Sequence, residues 1–221
     1  MISITTRKTL VMSNSAWVVN SEPATTQWLT EPLPRQCLVS YRDLLHHKQM
    51  DPDIADYLGF HLQLLSPRPL VEWLPVLADF VAAEIVPRIS PAARDAVALH
   101  RSKEHRLAII TATHSFLSSA IGELFGVPVI APRAEVRGGH LSGRIEGALC
   151  FREKKLTSLS IWMESEGLGD EAIGERYFYS DSANDLSLLE AVSHPVTVNP
   201  DSRLAVLAQQ RGWPMLRWRC A

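Results

Sequence analysis

At 221 residues with 46% apolar side chains, the chain has enough mass to bury a sizeable core in one domain plus a subdomain. Its 22 Lys and Arg against 24 Asp and Glu leave a net charge of −2, which argues against a nucleic-acid surface or a polybasic membrane patch. Cys37, Cys150 and Cys220 are odd in number and lack metal-like spacing, so neither a disulfide framework nor a zinc site is expected. The first residues lack a leader-like apolar run and no stretch reaches the roughly twenty apolar residues that span a bilayer, so a cytoplasmic setting is expected.

In chain order, a polar arm (Ile2 to Lys8) leads into Thr9 to Met12, read as a short buried strand with Ser13 to Ala16 as the loop at its carboxyl end. From Ala24 to about Ala93 helical apolar spacings dominate, broken by prolines. Leu58, Leu62 and Leu65 share one face, as do Leu74, Leu77, Phe80, Val81 and Ile85. A segment of about seventy residues is too long for a plain loop and is expected to form a helical cap. Strand and helix then alternate as in a parallel α/β sheet. Arg106 to Thr111 reads as a strand, Phe116 to Phe125 as a helix stopped by Gly126, and Val127 to Ala131 as a strand. Gly138-Gly139 marks a hairpin, either a mobile flap or a fixed tight turn. Leu156, Leu159 and Met163 lie on a helix ended by Gly167. Tyr177 to Tyr179 and His194 to Val198 are strands, Leu204 to Gln210 is a helix, and Met215 to Trp218 is a last strand.

The stretch Tyr177 to Leu189, YFYSDSANDLSLL, carries the chemistry. A buried strand delivers Asp181 and Asp185 to the mouth of a sheet, where carboxylates four apart can meet one hard cation such as Mg²⁺. The alternative is a helix cap at Asp181 and a solvated first-turn acid at Asp185.

The order of these pieces resembles the haloacid dehalogenase (HAD) superfamily, in its phosphoserine-phosphatase-like branch, over nearly the whole chain. YSDSANDLSLL is similar to that branch's fourth motif, AIITATHSF to its second and FREKKL to its third. The resemblance implies an α/β, Rossmann-like core with a central parallel sheet (residues 1–19 and 94–221) and a helical cap (20–93) inserted after the first strand. It implies Asp181 and Asp185 as Mg²⁺ carboxylates, Thr111 as the hydroxyl on a phosphoryl oxygen, and Lys155 as the charge-stabilising lysine, with Lys154 as the neighbouring register. Thr113, His114 and Arg152 are candidate substrate contacts. Phosphoryl transfer needs such a set, since its charge is spread over three oxygens and catalysis is mostly positioning and electrostatics.

The first motif departs from the pattern. The family carries Asp-x-Asp after the first strand, a nucleophile and an acid/base; here Asn14 and Ala16 occupy those places. Ser13, Ser15 and Trp17 depart from the usual surroundings too. Asp51-Pro52-Asp53 has the spacing but follows His46 to Gln49 rather than an apolar strand, and is read as the start of a cap helix. An amide oxygen is a poor nucleophile, and Ala16 cannot carry a proton. The expectation is a phosphatase-like pocket without ordinary phosphomonoesterase turnover. It would bind Mg²⁺ weakly through Asp181, Asp185 and Asn14, and take a small anionic, phosphorylated ligand or a protein partner. The alternative is an enzyme of the same fold working without an aspartyl-phosphate.

Overall fold

The computed structural model describes residues 9–13, 54–168 and 175–219. Asn14, Ala16 and the triplet Asp51-Pro52-Asp53 lie outside them. Six strands pair in parallel: β1 (Thr9–Ser13), β2 (Arg106–Ile110), β3 (Val129–Ile130), β6 (Arg176–Ser180), β7 (His194–Val198) and β8 (Met215–Leu216), in the order β3-β2-β1-β6-β7-β8. Between β3 and β6 the chain adds an antiparallel hairpin, β4 (Arg133–Arg137) and β5 (His140–Glu146).

A parallel sheet covered on both faces needs strands that are apolar on both sides, and these are. Ile109 enters a core with Val196, Val198, Ile121 and Phe125, whereas Ala108 and Ile110 enter one with Phe178, Leu159, Met163 and Leu188. The first core is closed by helices α3 (Pro91–Ser102) and α4 (Ser115–Phe125), which contribute Ala93, Val97, Ile121 and Phe125. The second is closed by α5 (Lys154–Ser165), the short α6 (Leu186–Glu190) and α7 (Ser202–Arg211), through Leu159, Leu188 and Leu204. Gly126 ends α4 at φ +59°, the left-handed cap that the sequence signals. Ile85, Ile89 and Ala93 already belong to the first core, and the limit drawn at residues 93 and 94 falls inside α3.

Two helices precede this core, α1 (Ile54–Leu65) and α2 (Leu70–Phe80). Leu58 and Leu62 are buried as their spacing implies, but Leu74 is 52% exposed. Trp73 is buried beside it instead, where its indole N–H donates to the Leu65 carbonyl at 2.7 Å. The turn between these helices is tied to the hairpin: the Leu70 N–H donates to the Gly139 carbonyl at 2.7 Å, and His140 Nδ1 lies 3.1 Å from the Ser66 carbonyl. These bonds hold the Gly138-Gly139 turn against the helix pair in this structure.

Helix α1 lies so close to β5 that a Cβ on Gly143 would come within 2.5 Å of Gln63 Cγ, and Gly143 sits at φ +79°. Gly143→Ala is therefore expected to lower stability by roughly 1–3 kcal/mol, from left-handed strain plus displacement of Gln63. Urea unfolding of both proteins measures it, and an unchanged midpoint would remove this contact from the account.

At the amino end of the sheet, His100 Nδ1 lies 2.8 Å from His105 Nδ1 and His100 Nε2 lies 3.1 Å from the Tyr179 hydroxyl. One Nδ1 must donate and the other accept, so this bond requires at least one neutral ring. Burial first, then His105 and Lys103, push His100 down to about 4. Burial first, then His61, do the same to His114, also to about 4. Below the ordinary value of about 6.5 the unfolded chain takes up protons that the folded chain refuses, so stability falls as pH drops from about 6.5 toward 4. Each histidine contributes at most about 1.4 kcal/mol per pH unit in that window. Unfolding midpoints at pH 7, 6 and 5 should decline stepwise, and His100→Gln should flatten the decline.

Candidate functional site

The sheet order reverses at β1, whose neighbours are β2 and β6, and crevices at such reversals, beyond the carboxyl ends, are where α/β sheets bind ligands. Register sets the parts in place: Ser13 pairs with Ile110, one residue before Thr111, and Met12 pairs with Tyr179, two before Asp181. Asn14, next in the chain, is outside the described residues.

Thr111 is 3% exposed, and its Oγ1 accepts from the Thr113 N–H at 3.0 Å. That bond occupies a lone pair and leaves the hydroxyl proton for another oxygen. It also engages the Thr113 amide.

Lys155 is buried at 4% exposure while Lys154 is exposed, which resolves the register. Lys155, Leu159 and Met163 recur every four residues on the buried face of α5. An ammonium in the first turn of a helix opposes the helix dipole, and a partner must offset this. Asp185 does so: its Oδ1 takes the Lys155 ammonium at 2.6 Å, and its Oδ2 accepts from the Ser180 hydroxyl at 2.8 Å. Ser180 Oγ in turn accepts from the Ser182 N–H at 3.2 Å. Cys150, 1% exposed, registers how compact the cluster is. Burial raises its thiol pKa, Lys155 and Ser158 draw it back down, Asp185 raises it, and the Thr111 backbone lowers it.

The loop holding Asp181 has a brace that the sequence reading missed. Asp201 donates its N–H to the Asp181 carbonyl at 2.8 Å, accepts from the Ala183 N–H at 2.8 Å on Oδ2, and caps α7 through the Leu204 N–H at 2.7 Å on Oδ1. Asp-before-helix was a legible cap signal, but its grip on a loop eighteen residues earlier was not.

Asp181 is half-buried at the mouth, Thr113 is half-buried beside Thr111, and His114 is buried at the start of α4. Arg152 is exposed, at φ +51°, with its guanidinium 5.0 Å from the Phe151 ring centroid. Among the cap arginines, Arg68 lies over Trp73 at 5.5 Å, and Arg88 pairs with Glu84. Hard-oxygen donors at a sheet mouth suit Mg²⁺, but both Asp185 oxygens are engaged by Lys155 and Ser180. Among the described residues no three His, Cys, Asp or Glu side chains gather as a metal set. Nor, among them, is any helix long and apolar enough to cross a membrane.

A parallel sheet with helices on both faces, an order reversal at its first strand, and a strand-end hydroxyl and a buried lysine–aspartate pair flanking that point define a phosphatase-like α/β protein. Residues 8–190 match the sequence profile of haloacid dehalogenase-like hydrolases, and the chain belongs to that family. Family members generally use Mg²⁺, and the phosphatases among them bind small phosphorylated substrates. A histidinol-phosphatase of Neisseria meningitidis serogroup C is 36% identical over 169 residues, 76% of each chain. A phosphoserine phosphatase of Mycobacterium tuberculosis is 27% identical over 175 residues, of whose length the match spans 56%. A Bordetella pertussis protein of unknown function superposes with a TM-score of 0.87 at 32% identity, over 96% of this chain and 99% of that one. A substrate-bound phosphoserine phosphatase, 17% identical with a TM-score of 0.60 over 95% and 93% of the two chains, shares the fold.

Proposed function

We propose that the chain binds a small phosphorylated ligand between Thr111 and Lys155 and does not turn phosphomonoesters over through an aspartyl-phosphate. The buried Lys155–Asp185 pair carries this reading. An ammonium held against a helix dipole, near a hydroxyl with a free proton, is an arrangement suited to phosphate oxygens. Asn14 and Ala16, where the family has two aspartates, supply the second half. Asp181 and Asn14 are the residues proposed to meet Mg²⁺, more weakly than two carboxylates would, because an amide carbonyl brings no charge. Asp185 is proposed to position Lys155 rather than to ligate. The part of residues 20–93 that precedes Ile85 is proposed as the cap over the mouth, the setting as cytoplasmic, and a protein partner as the other occupant of the pocket.

A second reading is hydrolysis without a covalent intermediate, in which the relatives named as phosphatases support the hydrolysis and not its route. It would need Lys155, Asp181 or His114 as acid or base, and an imidazole held down to about 4 is a weak base at neutral pH. Calorimetric titration with inorganic phosphate, with and without Mg²⁺, tests the first reading. Saturable binding that is lost in the folded double variant Lys155→Met with Asp185→Leu supports it, and no binding by the native chain overturns it. Phosphate release from O-phosphoserine, histidinol phosphate and similar esters should stay at background; turnover of about one per second or faster on any of them would favour the second reading.

A further inference from the structure

We propose that Asp201 is a positioning residue: from the corner after β7 it fixes the loop that presents Asp181 to a divalent cation, a role that rests on the Mg²⁺ reading of Asp181 given above. Two strand ends meet here. The Asp181 carbonyl accepts from the Asp201 N–H at 2.8 Å, and the Ala183 N–H donates to Asp201 Oδ2, also at 2.8 Å. Ahead of Asp181, Ser180 is paired with Thr197 in the sheet. The backbone is thus pinned before and after Asp181, which sets the direction in which its carboxylate leaves the chain.

Capping a helix needs one oxygen, and Ser or Asn would serve as well as Asp. Asp201 spends Oδ1 on the Leu204 N–H of α7 at 2.7 Å, and its second oxygen goes to the loop. The corner itself is held from the other side. Asn199, at φ +45°, donates its N–H to the Leu216 carbonyl at 2.9 Å, and its side-chain amide exchanges two hydrogen bonds with the Trp218 backbone, at 2.8 and 3.0 Å. Trp218 and Leu204 are both buried, so the corner is anchored in the core at two points. The loop's own side-chain bonds, from the Ser182 N–H to Ser180 Oγ and from the Asn184 N–H to Ser182 Oγ, both at 3.2 Å, are local, whereas those to Asp201 tie it to a different strand. A cation binds tightly only to donors already held in place, because a donor that must be ordered on binding costs affinity.

The test uses the full chain and titrates it by calorimetry with Mg²⁺ alone and, separately, with inorganic phosphate in the absence of Mg²⁺. Ala183→Pro removes the N–H that Asp201 receives while keeping the Asp201 charge and its cap on α7. Proline suits the first position of the 3₁₀ turn that Ala183 opens, behind an extended Ser182. Asp201→Ser keeps a capping oxygen and removes the second acceptor together with the charge. Each variant should unfold near the native midpoint and bind Mg²⁺ about fivefold or more weakly, roughly the worth of one hydrogen bond. Phosphate binding without Mg²⁺, which falls to Thr111 and Lys155, should keep its native affinity. Because Asp201 is exposed, the loss in Asp201→Ser should persist at about 0.5 M NaCl, where a missing charge alone would be screened. Native Mg²⁺ affinity in Ala183→Pro overturns the proposal, as does a loss in Asp201→Ser that salt abolishes. Parallel losses of Mg²⁺ and phosphate binding overturn it too, since they mark a damaged fold. A native chain that binds phosphate but no Mg²⁺ ends this proposal and the reading of Asp181 while the phosphate pocket stands. Mg²⁺ binding that weakens as expected in a chain that ignores phosphate upholds this proposal and ends the pocket.

Discussion

The double substitution Asn14→Asp and Ala16→Asp is expected to raise phosphate release by at least about 10²-fold over the native chain on the ester it binds best. Returning an acid/base group is typically worth about 10²–10⁴ in rate, and a carboxylate nucleophile opens a route that an amide oxygen does not. Groups that act as a unit are not additive, so either single substitution should recover little of this. The rest of the set, Thr111 with its proton available and Lys155 beside Asp185, is already in place. A colorimetric phosphate assay with Mg²⁺ on the native chain, both singles and the double decides it. A double variant still at background would count against Asn14 and Ala16 as the deciding positions, and a native chain already at ordinary rates would end the proposal of an inert site.

Cutting the buried pair from one side is the second large effect. Asp185→Ala leaves an ammonium at 4% exposure with its carboxylate removed, and Lys155→Met leaves a carboxylate held by Ser180 alone. Each should cost about 3–5 kcal/mol, a large share of the roughly 5–15 kcal/mol that holds a domain together. Lys155→Met combined with Asp185→Leu should recover much of that loss, since apolar replacement of a buried ion pair is often neutral or stabilising. The recovered protein should nevertheless fail to bind phosphate, which separates the pair's part in folding from its part in recognition. Single-variant losses under about 1 kcal/mol in urea unfolding would mean that the pair behaves as a solvated one.

Much of this architecture could be read from local patterns. His194–Val198 appears with the expected bounds, and β2, α4 and β6 within a residue or so, because each is a short apolar run between strong turn or cap signals. The α/β class and the family followed from their order. Less legible was whatever depends on how distant pieces meet. Leu74 and Trp73 are equally apolar on paper, and only the Leu65 carbonyl decides which is buried. Lys154 and Lys155 differ by one position, and the periodicity of Leu159 and Met163 separates them. Spacing alone does not show that Lys155 and Ser180 reach both oxygens of Asp185. His61 carried no motif at all, and the His100–His105 contact needed a turn geometry that the sequence between them does not announce.

The bonds from Ser66 and Leu70 to His140 and Gly139 have a mechanical meaning. Were α1 and α2 to swing away from the crevice, they would drag the β4–β5 ribbon along, so the two would travel as one lever. Its fulcrum would then lie at the ribbon's roots, beside Pro132 and Gly147. The second root runs straight on through Cys150 into the helix bearing Lys155, so the same stroke that admits a guest would tug on the cation meant to greet it.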